Sequence, residues 1–300
     1  MLNSNVIVII CLIYVGSLFA VAGLAERRAR QRKLGFLQSP LIYTLSISVY
    51  CTAWTFYGSV GSAATNGFEF LAIYLGPTIV FVGWWWFLRK LVRIGRTQRI
   101  TSIADLISSR YGKSNTLGVI VTLLAIFGST PYIALQLQSL TLSFAVFTEN
   151  TTTDYNPVIT ALFIASGLAL FTILFGTRNL DANERHHGVV TAIAVEAIVK
   201  LVAFISVGVF VVWGLSEGPN NMLHIMEKSI PITNQVFSPR WVTLTFLSAT
   251  AIICLPRMFQ VIVVENSAEK HLATASWAFP LYLLLMCIFV LPIAATGLNI

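Results

Sequence analysis

Residues 251–266 read AIICLPRMFQVIVVEN. The run is apolar enough to enter a bilayer, yet Pro256 and Arg257 sit side by side within it. Proline removes a backbone donor and interrupts the i→i−4 ladder of a helix. An arginine at membrane depth costs roughly 2.5–3.5 kcal/mol on insertion scales. In lipid, irregular backbone persists only where protein or a water-filled cavity covers it. The pair therefore predicts a broken span that builds a site in the membrane rather than a plain anchor.

The rest of the chain fits that reading. Of 300 residues, 56% are hydrophobic and only 10% charged, against about 25% charged in a soluble domain. The composition predicts an all-α, polytopic membrane protein. About eight apolar spans can be drawn, at 5–25, 41–62, 69–90, 117–147, 157–176, 187–215, 241–264 and 273–297. Each has the ~20 residues that a helix needs to cross the hydrocarbon. The net charge of +7 does not indicate a nucleic-acid partner, because the basic residues lie in short loops beside apolar spans. Fifteen Lys and Arg fall after spans one, three, five and seven, whereas the opposite side holds only Lys228 and Arg240. The positive-inside rule then places the N-terminus outside, as an uncleaved first helix followed by Arg27, Arg28, Arg30, Arg32 and Lys33. Trp84, Trp85 and Trp86 precede Arg89 and Lys90 and fit an interfacial aromatic belt. Cys11, Cys51, Cys254 and Cys287 all lie in apolar stretches and read as small buried hydrophobes.

Span two is unusually polar, with Ser46, Ser48, Tyr50, Thr52, Thr55, Tyr57 and Ser59, and Trp54 among them. Hydroxyls in a membrane helix serve close packing or mark a discontinuous helix whose freed carbonyls hold a cation or substrate. Both readings stand. Span four carries Pro131, which predicts a kink, and Gln136 and Gln138. Span six carries Glu196 and Lys200 in the i,i+4 order that favours an internal ion pair. Depth offers a second partner: Glu196 and Arg257 each lie roughly 10–14 Å from the inner edge, at 1.5 Å per helical residue, so an interhelical pair is the alternative. His186 and His187 open span six, with Asp181 and Glu184 nearby, and read as polar capping rather than as a metal site. No phosphate loop, zinc-protease motif or nucleophile elbow occurs, so no catalytic residue is assigned.

Three segments carry a resemblance. Residues 99–112, RITSIADLISSRYG, resemble the loop between the second and third core helices of the sodium:solute symporter family. Residues 175–188, FGTRNLDANERHHG, and 255–266 with WAFPLY at 277–282 resemble a narrower group, the symporter-like membrane domain of bacterial sensor histidine kinases. The resemblance implies a partial, leucine-transporter-like inverted-repeat bundle. Span one would be an extra N-terminal helix, spans two to six the first repeat, and spans seven and eight the start of a second, incomplete at the C-terminus.

It also implies a site. The broken spans two and seven would bind a small solute, an amino acid among the candidates, through Ser48, Tyr50, Cys51, Trp54, Tyr57, Gln136, Pro256, Arg257 and Gln260, with Glu196, Lys200 and Arg257 as an intramembrane charge network. By position, Ser48 and Cys51 would offer backbone carbonyls to a sodium ion; no other cofactor is implied. Proline symporters carry an aspartate near the position of Tyr50, and span two here has no acid. The implied function is the membrane input module of a sensor histidine kinase in the bacterial inner membrane. Its partners would be a solute, membrane lipids, and cytoplasmic signalling domains or a response regulator. A sodium-coupled amino-acid symporter without kinase function and a purely structural anchor are the alternatives.

Overall fold

The computed structural model describes residues 4–32, 35–147, 157–173, 186–231 and 236–299. All regular structure among them is helical, as a lipid-facing chain requires when every backbone group must be satisfied within its own segment. The motif at 175–188 therefore lies outside the described residues except at its end, as does the loop 148–156.

Among the described residues, five helices are long and apolar enough to cross a membrane: Val6–Arg30, Trp54–Val82, Asn115–Phe147, His187–Leu215 and His271–Asn299. A sixth is counted if the bent pair Pro239–Cys254 and Pro256–Val264 is one span. Two shorter apolar helices, Pro40–Tyr50 and Val158–Leu170, complete the set. Eight spans drawn from hydropathy thus become five or six by helix length and composition, because spans two and three run into one helical stretch, the helix of span five is short and span seven is bent.

The chain divides into two compact units, Met1–Leu37 with Ile103–Ala192, and Gln38–Ser102 with Ile193–Ile300. In the first, α1 (Ser4–Arg30) ends on Arg27, Arg28 and Arg30, which suit the negative helix C-terminus. Helix α6 (Ile103–Arg110) packs on α7 (Asn115–Phe147), and α7 packs on α8 (Pro157–Phe171). The 33 residues of α7 reach ~50 Å at 1.5 Å per residue, well beyond a ~30 Å hydrocarbon core. The helix runs through Pro131 without breaking. Helix α9 (His187–Val209) begins in this unit, where a Cβ on Gly188 would stand 2.7 Å from the Ala22 carbonyl oxygen.

The second unit holds both interrupted spans. Ser39 caps α2 (Pro40–Ile47) by accepting from the Ile42 N–H, with Pro40 pre-set at the first helical position. A 3-10 turn, Ser48–Tyr50, ends at Cys51, whose backbone is extended. Helix resumes as a π-turn, Trp54–Gly58, and continues into α3 (Ser59–Asn66). Gly67 then takes φ 57° and ψ −121°, a conformation closed to residues with a Cβ, and a second 3-10 turn leads into α4 (Leu71–Val82).

The chain reverses at Gly67. The Ser59 hydroxyl lies 3.0 Å from the Tyr74 hydroxyl, whereas 15 residues of straight helix would separate them by ~22 Å. The nearly continuous helical run Trp54–Val82 is therefore two legs folded back on each other. Tyr50 extends the seam, donating from Oη to the Ile73 carbonyl at 2.9 Å.

Beyond the tryptophans, α5 (Leu88–Thr97) is an amphipathic helix that hydropathy alone merges into a basic loop. It buries Leu88, Leu91, Val92 and Gly95 and presents Arg89, Lys90, Arg93 and Arg96. Trp85 and Trp86 are exposed beside it, the arrangement of an interfacial helix. The remainder of the unit is α9 beyond Ala192 with its π-turn Phe210–Leu215, then α10 (Pro219–Ser229), α11 (Pro239–Cys254), α12 (Pro256–Phe259) with the π-turn Gln260–Val264, α13 (His271–Ile288) and α14 (Val290–Asn299). Helix α4 sits between α11 and α13, and α13 also packs on α2. Phe81 and Phe279, both fully buried, meet at 4.8 Å between ring centroids.

The basic face carries an acid clamp. Glu269 accepts from Arg89 and from Arg93, the latter at 3.1 and 3.2 Å. The Arg89 guanidinium first, then Arg93, holds the Glu269 carboxyl below its ordinary carboxylate range. A lowered folded-state pKa means that the clamp is fully engaged at neutral pH and is lost as pH falls through that lowered value. Label-to-label distance between Lys90 and Lys270 should therefore lengthen only on acidification, and Glu269→Gln should show the long distance already at neutral pH.

Candidate functional site

The proline predicted to interrupt span seven does so. Leu255 is extended at φ −67° and ψ 128°, as a residue before proline prefers. The helix restarts at Pro256, with the Met258 and Phe259 N–H groups both donating to the Leu255 carbonyl at 2.9 Å. The two halves, Pro239–Cys254 and Pro256–Val264, are bent by 55°.

Span two breaks as well, at Cys51 and Thr52. The Cys51 N–H still reaches the Ser48 carbonyl at 2.8 Å, but the extended Cys51 backbone turns its own carbonyl off the helical ladder. That oxygen accepts from Lys200 Nζ at 2.9 Å. The same ammonium lies 2.9 Å from Glu196 Oε1. One buried backbone break is thus satisfied by a side chain 149 residues away, itself neutralised by the acid one helical turn before it.

The two breaks meet. Helix α12, which carries Pro256 and Arg257, packs against the 3-10 turn Ser48–Tyr50. Lys200 and Arg257 are both within electrostatic reach of Cys51. Met258 and Phe259 are buried at this contact, as are Ser48 and Cys51. From α13, Tyr282 donates to the Ala197 carbonyl at 3.1 Å, which ties α13 to the turn of α9 that bears Glu196 and Lys200.

The helix of span two is discontinuous, and its hydroxyls are largely spent locally. Ser46 donates to the Tyr43 carbonyl at 2.8 Å, Ser48 to the Leu45 carbonyl at 2.5 Å, and Ser59 faces Tyr74. Such back-bonding satisfies a hydroxyl without leaving the span.

Of the residues expected at the site, Ser48, Tyr50, Cys51, Pro256 and Arg257 come together with Glu196 and Lys200. Trp54 follows directly, half-buried, in the π-turn after the break. Gln260 is directed to Glu265, with Nε2 3.2 Å from Oε1. Tyr57 is 54% exposed. Gln136 belongs to the other compact unit and is half-buried there. Glu196 takes Lys200, the local partner that the i,i+4 spacing offers. Among the described residues no three His, Cys, Asp or Glu gather as metal ligands.

Two contacts escape a reading of the sequence. Spacing assigns Lys200 only to Glu196, although a lysine ammonium has three donors and one carboxylate rarely uses them all. Glu69, 7% exposed, binds Arg240 through Oε2–Nε at 2.9 Å and Oε1–Nη2 at 3.2 Å. Arg240 stands out in the sequence as one of two cations in the sparsely charged set of loops, and that isolation is the available signal. No family model matches the chain, and neither a curated protein nor a solved structure matches it.

Proposed function

We propose that this chain is a solute-binding membrane module of the sodium:solute symporter type, serving as the input of a bacterial sensor histidine kinase. The observation that carries the proposal is the meeting of two helix breaks, at Cys51 in span two and at Pro256 in span seven. Irregular backbone inside a membrane persists only where protein or a water-filled cavity covers it, and paired broken helices are the arrangement by which secondary transporters expose backbone groups to a small solute. The motifs at 175–188 and 255–282 favour the sensor subgroup over a free-standing transporter, and the motif at 99–112 favours the wider symporter family. In this reading the chain crosses the inner membrane about eight times with its N-terminus outside, and the reversal at Gly67 supports counting spans two and three separately. Spans two to six form the first repeat of an inverted pair, and Arg257 is an interhelical partner for Glu196 in addition to Lys200.

Radiolabelled amino acids test the proposal in the intact protein, reconstituted in vesicles with and without a sodium gradient. Saturable binding with no sodium-driven accumulation is expected. Sodium-driven accumulation would instead establish the symporter alternative, and the absence of both binding and uptake would leave only an anchor.

A further inference from the structure

The cation at the Cys51 break is part of the chain. Lys200 lies near the middle of the 29-residue helix His187–Leu215, roughly 20 Å from either end at 1.5 Å per residue. A charge at that depth is expensive and needs a counter-charge or a polar role to persist. The Lys200 ammonium has both. It rests 2.9 Å from the Glu196 carboxylate and 2.9 Å from the Cys51 carbonyl. A neutral carbonyl freed by a helix break and a single carboxylate, converging on one point, are the oxygen ligands that attract a monovalent cation. That point is filled by Nζ.

We propose that Lys200 is a tethered cation at this break, holding the interrupted span closed without any inorganic ion. The ammonium pairs with Glu196 and fills the point where carboxylate and carbonyl converge, so the break as it stands needs no second cation. Delete the ammonium, and one carboxylate and one carbonyl oxygen remain facing the space it occupied. The vacated position is then a site for a small monovalent cation. n-Propylammonium fits best, because it restores three carbons and the nitrogen that Lys200→Ala removes. The inference rests on the geometry of the Cys51 break and not on the solute or signalling reading, so its failure would leave that reading intact.

The experiment is hydrogen exchange over residues 48–58 in the intact protein in lipid nanodiscs. Buffers hold sodium chloride, n-propylammonium chloride or N-methylglucamine chloride at equal ionic strength. Wild-type exchange is expected to be the same in all three. Lys200→Ala in N-methylglucamine should exchange roughly tenfold faster there, the scale of losing one charge-assisted hydrogen bond. n-Propylammonium should return most of the protection, and adding Glu196→Gln should abolish that rescue. Lys200→Arg, which keeps a charged donor, should need no added cation. Sodium-dependent protection in the wild type would overturn the proposal, and this arm decides by itself if Lys200→Ala does not fold. The proposal also falls if Lys200→Ala exchanges like the wild type, or if no cation tightens it.

Discussion

Replacing Gly76 with valine should prevent stable folding of the second compact unit. Gly76 lies on α4 in tight contact with α11. A Cβ there would stand 2.0 Å from Ser248 Oγ and 2.6 Å from both the Ala249 nitrogen and the Thr245 carbonyl oxygen. The first atom could rotate away; the other two are backbone and cannot move unless the helices separate. Separation would also break the 2.7 Å hydrogen bond from Ser248 Oγ to the Ala72 carbonyl. Small residues are what allow such close approach where no hydrophobic drive holds helices together in lipid. Overpacking a tight contact costs about 1–3 kcal/mol in ordinary cores, and contact with backbone puts this substitution at or above the upper end. Gly61→Ala is the control: its Cβ would meet nothing within 4 Å, and it should be neutral. Detergent size-exclusion profiles and thermal aggregation of the two variants check the contrast. A monodisperse Gly76→Val protein with wild-type thermal stability would refute the α4–α11 packing.

The second large effect is expected at Arg240. Its guanidinium covers the Glu69 carboxylate, and Glu69 is 7% exposed whereas Arg240 is 72% exposed. Removing one partner of a buried pair typically costs about 3–5 kcal/mol, because the other charge stays buried. Here water reaches the arginine, so screening lowers the expected loss to about 2 kcal/mol. Arg240→Ala should therefore lower the denaturation midpoint clearly, and Glu69→Gln in the same chain should recover part of the loss. The recovery separates a stranded charge from simple loss of packing, since the double variant restores no contact. A midpoint unchanged by Arg240→Ala would mean that the pair contributes nothing.

What the sequence reveals follows from the range of the physics involved. The break at Pro256 is legible because a missing N–H acts on its own helix, whatever surrounds it. The break at Cys51 is legible only as an excess of hydroxyls between residues 41 and 62, with no residue that forces it. Its position depends on α12 and on Lys200, 149 residues along the chain. Glu196 and Lys200 announce each other by spacing, but nothing local shows the Lys200 ammonium also reaching a carbonyl. Glu69 and Arg240 are 171 residues apart and carry no mutual sign in the sequence. Helix α5 is legible in principle, from Leu88, Leu91, Val92 and Gly95 at helical spacing, but the density of arginines obscures its apolar face. The reversal between spans two and three is legible as the gap between their apolar runs at 63–68, although helix continues through most of it and only Gly67 takes a backbone closed to other residues.

If the two breaks form one solute site, a bound solute must quiet both together. Hydrogen exchange in the intact protein, followed over 48–58 and 255–264 with each amino acid in turn, measures this directly. At least one amino acid should slow exchange at both breaks, saturably and with the same midpoint, while leaving α7 unchanged. Exchange at both breaks that is indifferent to every amino acid, or a ligand that protects one break and not the other, would contradict a shared site.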